Sequence, residues 1–344
     1  MALVLVLAAL LWGLGHLLRL PVRGRLLMIA LLYVAVLMVQ VAFPAGHPLR
    51  EATGGSAGEW LVLGGLGALV WLYSRGLRSL KSRVRPENRA DRTPSDPTTE
   101  LERNARHIVL REIGGPGQKR LKNARVLVIG AGGLGSPALQ YLAAAGIGTI
   151  GVIDHDIVEN SNLQRQIIHT DDRIGMPKVF SAEQAIRAQN PFVSVRPYNR
   201  KLTSDIASDL FADYDMVLDG TDDSATRYLV NETAVALGLP LVSAAISQWE
   251  GQISIFDPSR GTPCYRCVFP EPPAPGLAPT CAEGGVLGPL PGVVGAMMAV
   301  EAIKLIAGAG EPLLGRMMIY DALYADVRVI GIKRRDDCPV CGSA

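Results

Sequence analysis

Residues 125–135 read Arg-Val-Leu-Val-Ile-Gly-Ala-Gly-Gly-Leu-Gly. Val126 to Ile129 make a short apolar run suited to a buried strand, and the glycines open a tight turn into a helix starting near Ser136. Gly130 allows the turn, Gly132 lets backbone N–H groups approach phosphates, and Gly135 lets the helix pack close to the strand. A phosphate placed there would sit on the positive end of the helix. A second strand, Thr149 to Asp154, ends in the acid expected to bind a ribose hydroxyl. Strand, glycine turn, helix, strand and acid in this order point to a nucleotide, against the competing reading of a tight turn without ligand.

Further strands are expected at Val193–Pro197, Met216–Leu218, Leu241–Ala245 and Ile253–Phe256, alternating with helical patterns. Such alternation implies an α/β fold, a Rossmann-like and mostly parallel sheet with helices on both faces. Pro270 to Pro279 is rich in Pro, Ala and Gly and reads as a long surface loop.

The first part of the 344-residue chain differs in character. Met1 to Leu18, Leu26 to Phe43 and Trp60 to Ser74 carry no formal charge. The first two approach the length of a bilayer span and the third is short. Arg19, Arg23 and Arg25 lie between the first two runs, and Arg75, Arg78, Lys81, Arg83 and Arg85 follow the third. Three crossings would then leave everything after Arg75 in the cytoplasm. The expected organisation is a membrane region over 1–84, a solvated linker over 85–100 and a catalytic domain over 101–344, held at the inner (plasma) membrane. The net charge of +2 gives no sign of a nucleic-acid partner.

Cys264-Tyr-Arg-Cys267 and Cys338-Pro-Val-Cys341 are two CxxC pairs. Four thiolates in two such turns suit a closed tetrahedral zinc site that staples the C-terminal region. Disulfides and a redox role are the competing readings. Cys281 is left over, beyond the Pro-rich loop, where it is either a presented nucleophile or an inert thiol.

Past Asp154 the chain reads His-Asp-Ile-Val-Glu-Asn-Ser-Asn-Leu-Gln-Arg-Gln to Gln166, a dense run of hydrogen-bonding groups at the ligand-binding edge of the sheet. Arg165 and Lys178 could reach nucleotide phosphates, as a reaction accumulating charge at phosphorus requires, against the competing reading of two ordinary surface charges. Asp219-Gly-Thr-Asp222-Asp223 follows the strand at Met216, and carboxylates at that tip suit Mg²⁺; one of them is expected to cap the next helix instead. Arg106 lies on a helix before the first strand, either as a solvated charge or as a finger reaching a neighbouring subunit.

Together these motifs resemble the HesA/MoeB/ThiF family of adenylyltransferases, bacterial relatives of the ubiquitin-activating enzymes, and most of all the molybdopterin-synthase adenylyltransferases. The resemblance runs from Arg103 to Gly342. It implies a site for ATP in which Gly130, Gly132, Gly133 and Gly135 form the loop and Asp154 holds the ribose. Asn162, Arg165 and Lys178 would contact the phosphates, and Asp156, Ser161, Leu163, Gln164 and Asp223 would belong to the same nucleotide site. Asp222 would hold Mg²⁺ beside the α-phosphate, and Asp223 stands where many relatives have Asn. The resemblance further implies a homodimer with Arg106 supplied by the partner protomer, Zn²⁺ on Cys264, Cys267, Cys338 and Cys341, and a sulfur-handling or conjugating place for Cys281. Arg106, Arg165, Lys178 and Asp222 are the expected catalytic set.

The implied reaction joins the C-terminal Gly-Gly carboxylate of a small ubiquitin-like sulfur carrier to AMP, for molybdopterin or thiamine biosynthesis. A separate sulfur donor, a cysteine desulfurase or rhodanese, is expected. The alternatives are a membrane-anchored NAD-dependent oxidoreductase, a non-catalytic scaffold and a tRNA-modifying ATPase of the same fold.

Overall fold

The computed structural model describes residues 1–18, 20–44, 46–84, 97–272 and 284–342. They fall into two compact units, Met1–Arg92 and Thr93–Ala344. Residues 85–96, most of the expected linker, lie outside the described residues, as does Cys281. The linker reading is corrected at its far end: Pro97 to Glu100 already belong to a helix.

The N-terminal unit is helical: α1 (Ala2–Leu17), α2 (Val22–Ala42), α3 (Pro48–Thr53) and α4 (Ala57–Val84). Val4, Val36 and Trp60 form its small buried cluster. Polar groups tie the ends of the bundle. Tyr33 donates to the Trp60 carbonyl at 2.6 Å, and Arg50 donates from Nε to Gln40 Oε1 at 2.9 Å. Most other apolar side chains, such as Leu5, Leu10, Leu31, Met38, Leu66 and Val70, are exposed. Gly24–Ala42, with a mean hydropathy of 2.2, is long and apolar enough to cross a bilayer. The apolar helices Ala2–Leu17 and Ala57–Tyr73 are shorter.

The C-terminal unit begins with α5 (Pro97–Ile108) and α6 (Gly114–Asn123). There follow β1 (Arg125–Ile129), α7 (Gly135–Ala144), β2 (Thr149–Asp154), α8 (Lys178–Gln189), β3 (Ser194–Asn199), α9 (Ser204–Phe211), β4 (Met216–Asp219), α10 (Ser224–Leu237) and β5 (Leu241–Ile246). The chain continues through β6 (Glu250–Phe256), α11 (Tyr265–Val268), α12 (Pro289–Ala307), β7 (Arg316–Asp321) and β8 (Asp326–Gly331).

One sheet runs in the order β3-β2-β1-β4-β5-β6-β7-β8. The first five strands of that order are parallel and the last three add on antiparallel. The apolar run in β1 follows from burial on both faces. Val126 and Val128 pack with α7, α8 and α12, while Leu127 and Ile129 pack with α9 and α10. α12 is also apolar enough to span a membrane, but Leu290, Val294, Met298 and Ala302 bury it in this core.

The chain leaves β1 toward β2 and β3, then returns to β4 on the other side. This reversal opens a crevice above the carboxyl ends of β1 and β4, where ligands bind in such sheets. Ile129 pairs with Ile153 on one side and Asp219 on the other, so three loops meet there.

Candidate active site

The glycine turn leaves β1 with Gly130 at φ +90°, a conformation that a side chain would strain. A Cβ at Gly135 would run into the Gly130 carbonyl, so α7 can start this close only on glycine. The turn is braced from two sides. Ala131 donates its amide to Asp154 Oδ2 at 2.8 Å, and its carbonyl accepts from His169 Nε2 at 2.9 Å. Because a carbonyl only accepts, His169 carries its proton on Nε2, which leaves Nδ1 to accept from Ser181 at 2.8 Å. Burial lowers the pKa of His169 and keeps it neutral. His155 is exposed, 3.6 Å from Asp156.

A cavity of about 960 Å³ opens over this turn. Gly130, Gly132, Gly133, Asp154, Asp156, Asn162, Arg165, Lys178, Asp222 and Asp223 all line it. Sequence positions spread over almost a hundred residues are thus gathered around one space. Gly135, Ser161, Leu163 and Gln164 are not among the lining residues. Ser161 offers its carbonyl to Arg165 Nη1 at 3.0 Å, and Gln164 lies against Gly288. Arg106 is exposed on α5 and does not line the cavity of its own chain.

The charged groups are held in place. Arg165 donates from Nη2 to Asn162 Oδ1 at 3.1 Å. Lys178, the first residue of α8 and only 5% exposed, donates to Asp156 Oδ2 at 2.8 Å. Burial works against the Asp156 carboxylate, but the hydrogen bond and charge of Lys178 outweigh it and lower its pKa. Asp222 is exposed to the cavity. Asp223 caps α10, accepting from the Thr226 amide at 2.9 Å and its hydroxyl at 2.6 Å. The division between a free acid and a capping acid follows from these contacts.

Sequence reading missed several lining groups. Arg227 is buried on α10, 3.8 Å from Asp219, and donates to the carbonyls of Thr221 and Ala244. Asp219 accepts from the Thr221 amide at 3.0 Å and its hydroxyl at 2.7 Å. This buried pair fixes the loop that carries Asp222. Gln166, Arg200, Lys201, Tyr228, Tyr265 and Phe269 also line the cavity. Tyr265 meets Tyr228 edge-on at 5.5 Å and lies 4.8 Å from Phe269. An Arg one turn into a helix that follows an Asp-tipped strand was the available signal for Arg227.

Cys264, Cys267, Cys338 and Cys341 come together in a buried cluster, all four sulfurs within 4.8 Å of one another. Sγ separations are 3.8 Å for Cys264–Cys267, 3.6 Å for Cys264–Cys338 and 3.4 Å for Cys267–Cys341. A tetrahedral ion with metal–sulfur bonds of about 2.3 Å demands sulfur separations near ~3.8 Å, so the cluster fits a metal. The Arg335 amide donates to Cys267 Sγ at 3.5 Å. Burial pushes the Cys264 and Cys341 thiols up, while at Cys338 burial is outweighed by amide donors at Cys341 and Val340, which bring the pKa down to about 7. A metal there would hold the CxxC turn that carries Tyr265 into the cavity wall.

A match to the ThiF family covers residues 104–340. A sulfur carrier protein adenylyltransferase of Thermus thermophilus is 50% identical over 247 residues, 71% of this chain and 91% of that protein. MoeZ of Mycobacterium tuberculosis, a probable adenylyltransferase/sulfurtransferase, is 53% identical over 70% of this chain. The match spans only 62% of MoeZ. The crystal structure of Escherichia coli MccB with ATP superposes with a TM-score of 0.61 at 27% identity, over 70% of this chain and 74% of that one.

Proposed function

The chain belongs to the ThiF family, and from that premise we propose that it adenylates the C-terminal carboxylate of a small ubiquitin-like sulfur carrier. The observation that carries the reading is the meeting of Arg165, Lys178 and Asp222 around the glycine turn in one cavity, within a stretch of 247 residues that is 50% identical to a named adenylyltransferase. That cavity suits phosphoryl chemistry better than hydride transfer, so the oxidoreductase reading is set aside.

A carboxylate oxygen of the carrier attacks the α-phosphorus of ATP. The bond from that phosphorus to the bridging oxygen breaks, and pyrophosphate leaves with the electron pair. The product is an acyl-adenylate. A carboxylate needs no base to attack, so the protein's task is positioning and neutralising charge. Asp154 holds the ribose, the glycine turn seats the phosphates, and Arg165 and Lys178 neutralise the charge that builds on them. Asp222 is the residue to hold Mg²⁺, which when bound adds charge neutralisation on the phosphates. The four cysteines take Zn²⁺ as a structural ion.

The finer reading includes a homodimer in which Arg106 enters the neighbouring site, a separate sulfur donor, and service to molybdopterin or thiamine synthesis. It also includes anchoring of the helical N-terminal unit in the inner membrane, with the catalytic unit on the cytoplasmic side. Gly24–Ala42 and the arginines flanking the apolar helices support the anchor. Expression of the chain without residues 1–84 should move it from the membrane fraction to the soluble one.

Exchange of labelled pyrophosphate into ATP tests the reaction. Exchange should require a carrier ending in Gly-Gly and fall steeply, to a small measurable residue, with Lys178→Ala. Carrier-independent turnover, or undiminished exchange by that variant, contradicts the proposal.

A further inference from the structure

Lys178 stands where electrostatics disfavour it. It is nearly fully buried and begins α8, the end of a helix that repels cations. The local fold supplies the compensation. Residues 156–158 and 175–178 run antiparallel: Val158 donates to the Met176 carbonyl at 2.8 Å, Gly175 donates to the Val158 carbonyl at 2.8 Å, and Lys178 donates its amide to the Asp156 carbonyl at 2.9 Å. The same two residues then meet through their side chains, Nζ to Oδ2, at 2.8 Å. Asp156 is itself fixed, because its amide donates to Asp154 Oδ1 at 2.8 Å. Asp154 in turn holds the glycine turn through Ala131. An unbroken chain of bonds thus links the turn, Asp154, Asp156 and Lys178.

The geometry points to Asp156 as the positioning residue of Lys178: it holds the ammonium in the ligand-free site and aims it at the phosphates, without touching the nucleotide itself. This gives Asp156 a different part from the nucleotide contact expected of it from sequence. It rests on the adenylation reading for its consequence in catalysis, but the pairing itself is testable without turnover. The carboxylate is about half exposed and faces the cavity, so arriving phosphates compete with it for the ammonium. A rigid partner set one bond from the ribose acid keeps that competition local, and the lysine travels only a short way.

Two measurements on the full-length protein test this. In the first, ligand-free protein is labelled briefly with acetic anhydride and modification of Lys178 is read by mass spectrometry. Asp156→Asn should raise labelling of Lys178 several-fold, and Asp156→Glu should restore protection. Equal labelling in wild type and Asp156→Asn overturns the pairing, whether or not the protein adenylates anything. In the second, pyrophosphate exchange is followed in Asp156→Asn, Lys178→Ala and the double variant. Asp156→Asn should lower kcat about ten- to a hundred-fold while the KM for ATP stays within about three-fold, and should cost nothing further once Lys178 is gone. Additive losses overturn the positioning role, as does a loss of ATP affinity matching that of Asp154→Ala, which would make Asp156 a nucleotide or metal contact. Wild-type protein that labels as expected but performs no exchange contradicts the adenylation reading alone.

Discussion

The backbone amide of Ala131 donates to Asp154 Oδ2 at 2.8 Å, so the acid ending β2 holds the turn that ends β1. On the proposed reading, one carboxylate serves the shape of the glycine turn as well as the ribose. Asp154→Ala should weaken ATP binding about ten- to a hundred-fold, or about 1.4–2.7 kcal/mol, measured by calorimetry. Asp154→Asn should keep part of this, since its carbonyl still accepts from Ala131. Unchanged affinity in the alanine variant would contradict the role.

Gly135→Ala tests the close start of α7. The new Cβ meets the Gly130 carbonyl, which is backbone and cannot swing aside. A loss of about 1–3 kcal/mol is expected, with a lower thermal midpoint and weakened nucleotide binding. A variant as stable as the parent would show that the turn has slack.

How much of this was legible beforehand follows from periodicity. β1, the glycine turn and β2 were readable because both faces of the strands are buried and the glycines are demanded by backbone geometry. β7 and β8 were not singled out. β8 carries Val327, Val329 and Ile330 largely exposed at the sheet's edge, so its apolar residues do not mark a core. The two strands extend the parallel sheet in antiparallel sense, a change of direction that strand patterns do not encode. The polar motif from Asp154 to Lys178 was found because hydrogen-bonding residues crowd it. Arg227 escaped notice because a lone Arg on a helix looks solvated until the fold sets it against Asp219. The aromatic wall of Tyr228, Tyr265 and Phe269 escaped because single aromatics carry no spacing signal.

The cysteine cluster should hold one zinc per chain, measured by elemental analysis of purified protein. Cys338→Ser should lose that metal and lower the thermal midpoint, because the ion closes a long stretch of chain onto α11. Chelation should reproduce the loss. Full stability in metal-free protein would contradict a structural ion.

His169 makes stability depend on pH. Burial lowers its folded pKa below the unfolded value of about 6.5, so the unfolded chain takes up the proton first. The stability it confers is complete above about pH 6.5 and is lost as pH falls from there through the folded pKa, with a slope of at most about 1.4 kcal/mol per pH unit. The hydrogen bond to the Ala131 carbonyl and the charge of Asp154 oppose the shift, while Lys178 and Arg173 nearby reinforce it. Denaturant unfolding from pH 8 to pH 5 should show the decline, and His169→Gln should flatten it. An equal slope in both proteins would assign the effect elsewhere.

The central claim is that this cavity joins AMP to a peptide's own terminus. Incubation of the protein with ATP, Mg²⁺ and a purified Gly-Gly-ending sulfur carrier, followed by intact-mass spectrometry of the carrier, tests it most directly. The carrier should gain the mass of one adenylate, labile to hydroxylamine and strongly reduced with Lys178→Ala. A carrier of unchanged mass, across candidates that a relative such as the Thermus enzyme does adenylate under the same conditions, would contradict the account.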